Sequence, residues 1–291
     1  MSTPARSTSD PYRSAIVDYY DSCEVDYRLV WRLDRCLALH YGYWDETTET
    51  VSEALLHEND VLAGRAGITR EDRVLDAGCG VGGSAVHLAR RVGCRVVGIT
   101  LSEQQVRSAR DNAVEAGVAD RTRFEVRDFT ATGYRDASFD VVWAVESVCH
   151  AEDKAEFVRE AYRLLRPGGR LILADFFASQ TGYAGRDARL MGQWLDGWSV
   201  RALEYGPRFR EHLEQAGFSD IYHQDATANV RPSAKRLHGY AQIARVVGKV
   251  LRLAGVRSRR QDRNILAVHR QWQALRRDLW HYGIFCARKP G

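Results

Sequence analysis

Between Arg73 and Phe177 the hydrophobic positions follow two alternating periods. Short runs rich in β-branched residues, "RVLDAG", "RVVGIT", "TRFEVRD", "FDVVWAV" and "RLILADFF", have strand length. The segments between them, "GGSAVHLARRV", "EQQVRSARDNAVEAG" and "KAEFVREAYRLLR", repeat their apolar residues at helical spacing. The alternation predicts βαβ units, and right-handed crossovers then give a parallel sheet covered on both faces. A turn is expected at "PGG", followed later by a helix near "PRFREHLEQAG", a strand near "FSDIYHQD" and a last strand near "WHYGIFCARK".

Two segments fall outside this pattern. Residues 1–65, with Tyr19, Tyr20, Trp31, Tyr41, Tyr43 and Trp44, read as helices that precede the sheet. Residues 228–278 read as a helical insertion before the closing strand at 279–291, which leaves 66–227 as the core. With no repeat and no low-complexity linker, both extra segments are expected to cover the carboxyl ends of the strands, where a substrate chamber forms in open α/β sheets.

Composition narrows the class. A chain of 291 residues with 45% hydrophobic content can bury a large core. No apolar run approaches the roughly 20 residues a membrane span needs, and "MSTPARSTSDPYRS" lacks the apolar stretch of a secretory signal, so a cytoplasmic protein is expected. Six scattered cysteines without a C-x-x-C pair predict reduced thiols and no metal site. The net charge of +4 conceals an asymmetry: residues 231–291 hold 15 Lys or Arg against Asp262 and Asp278. These basic residues alternate with apolar ones, as in "ILAVHRQWQALRRDLW", which suits amphipathic helices with an Arg-rich solvent face.

The chemistry begins at "VLDAGCGVGG". Gly78, Gly80, Gly82 and Gly83 follow a strand and precede a helix, where glycine allows a tight turn and a close backbone approach to a ligand. Asp76 stands just before them. A carboxylate there would repel a pyrophosphate and favour a cation, and a cation with an adenosyl group is S-adenosylmethionine.

With "RDF" at 127–129 and "LLRPGGRL" at 164–171, the chain resembles the class I S-adenosylmethionine-dependent methyltransferases over most of residues 70–177 and the terminal strand. The resemblance implies a Rossmann-like α/β fold: a seven-stranded, mostly parallel sheet with the last strand antiparallel, helices on both faces and helical cover segments. It also implies that Asp76, Gly78, Cys79 and Gly80 hold the methionine half of the cofactor, and Asp128 with Phe129 the adenine. Many members end the second strand with an acid that binds the ribose. Here that strand runs into "GITLSEQQ", which is similar to the sterol, tocopherol and cyclopropane-fatty-acid subgroup and implies ribose contacts from Thr100, Leu101 and Gln105. "LHYGYWD" at 39–45 is similar to the same subgroup, in which Tyr20, His40, Tyr41 and Gly42 would close over the sulfonium.

The acceptor end is marked by "VVWAVESVCHAEDK", where Glu146 and His150 end the fourth strand. Two chemistries could use them. Carbon methylation of an alkene, an isoprenoid-type acceptor, would make a carbocation that Glu146 stabilises or deprotonates, helped by the ring faces of Tyr20, Trp44, Trp143, Trp194 or Trp198. Methylation of a hydroxyl or amine would instead use His150 as general base, aided by Asp175 and oriented by Glu146. The stretch looks most like sterol carbon-methyltransferases, which inclines the reading to carbon. Glu146 could also simply bind the cofactor's ammonium, and His150 could cap the next helix. A hydrophobic small molecule of specialised metabolism is the expected partner, with a homo-oligomer as the assembly. Nucleic-acid methylation is the remote alternative, since no N-P-P-Y-type tetrapeptide follows the fourth strand.

Overall fold

The β-branched runs become β1 Arg73–Ala77, β2 Arg95–Thr100, β3 Thr122–Val126, β4 Phe139–Val145 and β5 Leu165–Ala178 in a computed structural model that describes residues 11–19, 37, 40–253 and 259–291. They are joined by β6 Glu204–Tyr205, β7 Ser219–Asp225 and β8 Trp280–Arg288. The main path of the sheet runs β3-β2-β1-β4-β5-β8-β7, and the two-residue β6 pairs off it with β5. Strand β8 is antiparallel to both neighbours, β5 and β7, while β1 to β5 are parallel, so the expected fold class holds. Because the order reverses beside β1, a crevice opens at the carboxyl ends of β1 and β4.

Alternation along the strands builds two cores. On β4, Val141 and Trp143 join one cluster, and Val142 and Ala144 join the other. The first face is covered by α2 Val51–Ala66, α3 Gly83–Arg91, α4 Glu103–Glu115, α6 Gly185–Gly197 and parts of α8 Thr227–Leu253 and α9 Arg259–Leu275. The second is covered by α5 Lys154–Leu164 and α7 Gly206–Ala216. Residues 11–19 form a further helix, α1, and Tyr19 of this helix donates to Asn264 Oδ1 of α9 at 3.1 Å.

Two expectations need correction. Residues 40–50, expected to be helical, are irregular. Gly42 has φ +77°, and a Cβ there would lie 2.8 Å from the backbone of Ala54, so the segment passes too close to α2 for a helix of its own. The "PGG" sequence is part of β5 instead of a free turn, because Lys289 N donates to Gly169 O at 2.8 Å and Gly168 N to Lys289 O at 2.9 Å. No described helix is long and apolar enough to cross a membrane.

Candidate active site

A cavity of about 470 Å³ lies at the carboxyl ends of β1, β2 and β4, within the range of small-molecule sites. From β1 and the loop after it come Asp76, Gly78, Cys79 and Gly80; from the end of β2 come Thr100, Leu101 and Gln105. Asp128 and Phe129 follow β3, Glu146 and His150 follow β4, and His40 enters from the irregular segment. Twelve expected site residues therefore share one cavity. Tyr20, expected at both the cofactor and the acceptor, lies outside the described residues.

Around Asp76 and the glycine loop the backbone is shaped for close approach. Gly78 has φ +102°, and a Cβ there would fall 2.3 Å from Ser147 Cβ, so any side chain would push the loop off β4. Gly80, φ +51°, meets nothing within 4 Å where its Cβ would be. Asp76 is 2% exposed, and its Oδ2 has no hydrogen-bond partner among the described residues. Burial pushes its carboxyl up to about 7, with a backbone hydrogen bond from Ala85 pulling the other way. An orphaned buried carboxylate oxygen beside an open glycine cradle fits a cationic, amine-bearing ligand. Thr100 Oγ1 donates to Gln105 Oε1 at 2.6 Å, and Asp128 is bonded to Thr130 and ion-paired with Arg13 of α1. Six acids line the cavity, Asp76, Asp128, Glu146, Glu152, Asp153 and Glu156, against Arg13 and Arg127. The field favours a cation.

At the other end Glu146 stands in a strained conformation, φ +47°, which costs on the order of 1–3 kcal/mol. The strain is held by Glu146 N donating to Ala174 O at 2.8 Å and by two hydrogen-bonding neighbours of its carboxyl. Tyr41 N donates to Glu146 Oε1 at 2.7 Å, and the Tyr282 hydroxyl lies 3.0 Å from the same oxygen. Burial, then the charge of Glu58, pushes the Glu146 carboxyl well above the carboxylate range. His150 has a backbone hydrogen bond at Ser199, and burial pushes its imidazole down to about 4. The loop carrying His150 is fastened by Lys154, whose Nζ donates to the carbonyls of Cys149, Ala151 and Ala202.

Other expected residues do not face the cavity. Tyr41 reaches the site only through its backbone N; its ring packs edge-on against Phe176 at 5.5 Å and its hydroxyl donates to Gln271. Asp175 receives Cys149 N and Phe176 N, both at 2.8 Å, and so braces the loop before His150. Trp143 and Trp194 are core residues, Trp198 packs on Phe176, and Trp44 donates to Ser233. None of these four tryptophans lines the cavity. Glu58, Tyr282 and Lys154 were not anticipated. Glu58 had a legible signal: at helical spacing it falls on the stripe of Leu55 and Leu62, a carboxylate on a buried face. Among the described residues no group of three or more His, Cys, Asp or Glu could hold a metal ion.

Residues 75–173 match the family model of the methyltransferase domain. The chain is 40% identical over 210 residues to the 27-O-demethylrifamycin SV methyltransferase of Amycolatopsis mediterranei (strain S699), covering 71% of this chain and 77% of that protein. It belongs to the methyltransferase family. The methyltransferase is also 33% identical over 226 residues to methyltransferase GfsG of Streptomyces halstedii, covering 77% and 80% of the two chains. Among solved structures it is similar to the [4+2]-cyclase SpnF, with a TM-score of 0.76 and 27% identity over 100% of this chain and 99% of that one. The methyltransferase is S-adenosylmethionine-dependent, and its orphaned Asp76 and open glycine loop suit that cofactor.

Proposed function

We propose that this chain methylates a heteroatom, a hydroxyl oxygen foremost, on a bulky natural product. The observation that carries the reading is the cavity lining: His40, Glu146 and His150 line it, none of Trp44, Trp143, Trp194 and Trp198 does, and its described aromatic residues are Tyr12 and Phe129. Carbon methylation of an alkene needs ring faces around a developing cation, whereas a hydroxyl needs a proton acceptor and hydrogen-bonding partners. The similar Amycolatopsis protein is named for methylating an oxygen, which supports the same choice. The excess of acids around the cavity disfavours an acceptor that carries a diphosphate.

When bound, the cofactor supplies a methyl group already activated on a sulfonium, so the protein needs no nucleophile of its own. Asp76 would pair with the ammonium, Gly78, Cys79 and Gly80 would give room to the methionine portion, and Thr100, Leu101 and Gln105 would meet the ribose. Asp128 and Phe129 would hold the adenine. His150, kept neutral through physiological pH, would orient the acceptor oxygen by a hydrogen bond. Alignment of donor and acceptor contributes roughly 7–11 kcal/mol to such reactions.

The test is incubation with methyl-labelled S-adenosylmethionine and a panel of hydroxylated macrocycles, 27-O-demethylrifamycin SV among them, together with prenylated phenols. Label on an oxygen is the expected outcome. Label on carbon, or a rearranged product of unchanged mass formed without loss of the methyl group, overturns the proposal.

A further inference from the structure

His40, Glu58, Tyr282 and Glu146 form a continuous chain of buried hydrogen bonds drawn from four separate parts of the sequence. Glu58 lies at its centre and is fully buried. Its Oε2 meets His40 Nδ1 at 2.5 Å and accepts Gly42 N at 2.9 Å; its Oε1 lies 2.8 Å from the Tyr282 hydroxyl. That hydroxyl has one proton and two carboxyl neighbours, Glu58 and Glu146. If Tyr282 donates to Glu58, the contact with Glu146 requires Glu146 to supply a proton of its own. Three donors then converge on the Glu58 carboxyl, and Glu146 is a neutral acid.

This arrangement fixes His40. A carboxylate on Nδ1 selects the tautomer with the proton on that nitrogen and leaves a lone pair on Nε2. His40 Nε2 is buried and has no hydrogen-bond partner among the described residues, while His40 lines the cavity. An imidazole backed by a carboxylate, with its other nitrogen available, is the geometry of a general base.

We propose that His40 is the base that takes the proton of the acceptor, and that Glu58, through its hydrogen bond to Nδ1, is the residue that positions it. The inference rests on the heteroatom reading above. As the acceptor oxygen forms its bond to the methyl carbon, the sulfur–methyl bond breaks and its electron pair stays on sulfur. The O–H bond breaks and its proton goes to His40 Nε2, which leaves an imidazolium paired with the Glu58 carboxylate. Product exchange returns that proton to water.

The first measurement needs no substrate: nitrogen NMR of histidine-labelled protein saturated with S-adenosylhomocysteine. His40 should show the proton on Nδ1, and Glu58→Gln should lose that preference. A proton on Nε2 instead, meaning that His40 donates into the cavity, overturns the inference. The second compares variants on a hydroxylated acceptor that the wild type methylates at oxygen. His40→Ala should lose at least a hundredfold in kcat with S-adenosylhomocysteine affinity within threefold, and added imidazole should restore part of the rate. His40→Ala with near wild-type kcat, beside a dead His150→Gln, overturns the role of His40 and leaves the heteroatom reading standing. Label found on carbon removes both.

Discussion

The two ends of the cavity handle charge in opposite ways. At the cofactor end one buried carboxylate, Asp76, keeps an oxygen without a partner. Around Glu146 the carboxyls of Glu58 and Glu146 are engaged by hydrogen-bonding neighbours, including a shared tyrosine hydroxyl. An unmet charge stores affinity for a cation; a satisfied network stores geometry. Binding and turnover should therefore respond to different substitutions.

The largest separation is expected from Asp76→Asn. Removing one partner of a buried charge pair costs about 2–5 kcal/mol, so calorimetry should show cofactor affinity reduced about thirtyfold or more. Retention within threefold would erase the contrast between the ends. Next, Glu146→Gln should leave cofactor affinity within about threefold and reduce kcat by roughly thirtyfold to a hundredfold, because it disturbs the network without altering Asp76. Loss of affinity matching the loss of rate would mean Glu146 binds the ammonium.

A smaller effect follows from pH. The Asp76 carboxyl, pushed up to about 7 by burial, must ionise to pair with a cation, so cofactor affinity should be level above pH 7 and fall about tenfold per unit below it. Between its ordinary value near 3.8 and about 7 the folded empty protein holds a proton that the unfolded chain has released. The contribution of this group to stability therefore declines as pH rises across that window, and Asp76→Asn should flatten the decline in a series of melting curves. Least of all, turnover should change less than twofold between low and moderate salt if the basic terminal segment is a solvated helical face. A steep fall would point to an anionic acceptor docking there.

The strand, glycine turn and helix start that line one end of the cavity were legible in the sequence because they are contiguous, within a dozen residues at Asp76–Gly83. The acceptor end was legible only in part. Glu146 and His150 stand on one loop and could be read together, but their partners Glu58 and Tyr282 lie 88 residues before and 136 residues after Glu146. Tertiary packing also reassigned side chains whose type had suggested function. Asp175 serves two backbone amides, Tyr41 turns its ring into the core, and Trp143, Trp194 and Trp198 pack in the core. Periodicity gave the elements well and failed at residues 40–50, where the backbone follows the near contact of Gly42 with α2 rather than local preference.

Strand β8 lies between β5 and β7, yet it follows both in the chain by a wide interval. During synthesis the far edge of β5 and all of β7 must wait, unpaired, while two long helices emerge. Open strand edges of that kind invite pairing with other chains. When β8 arrives it closes both edges in one step, and the same strand brings Tyr282 beneath Glu146. The contact between Tyr282 and Glu146 therefore exists only once β8 has closed the sheet.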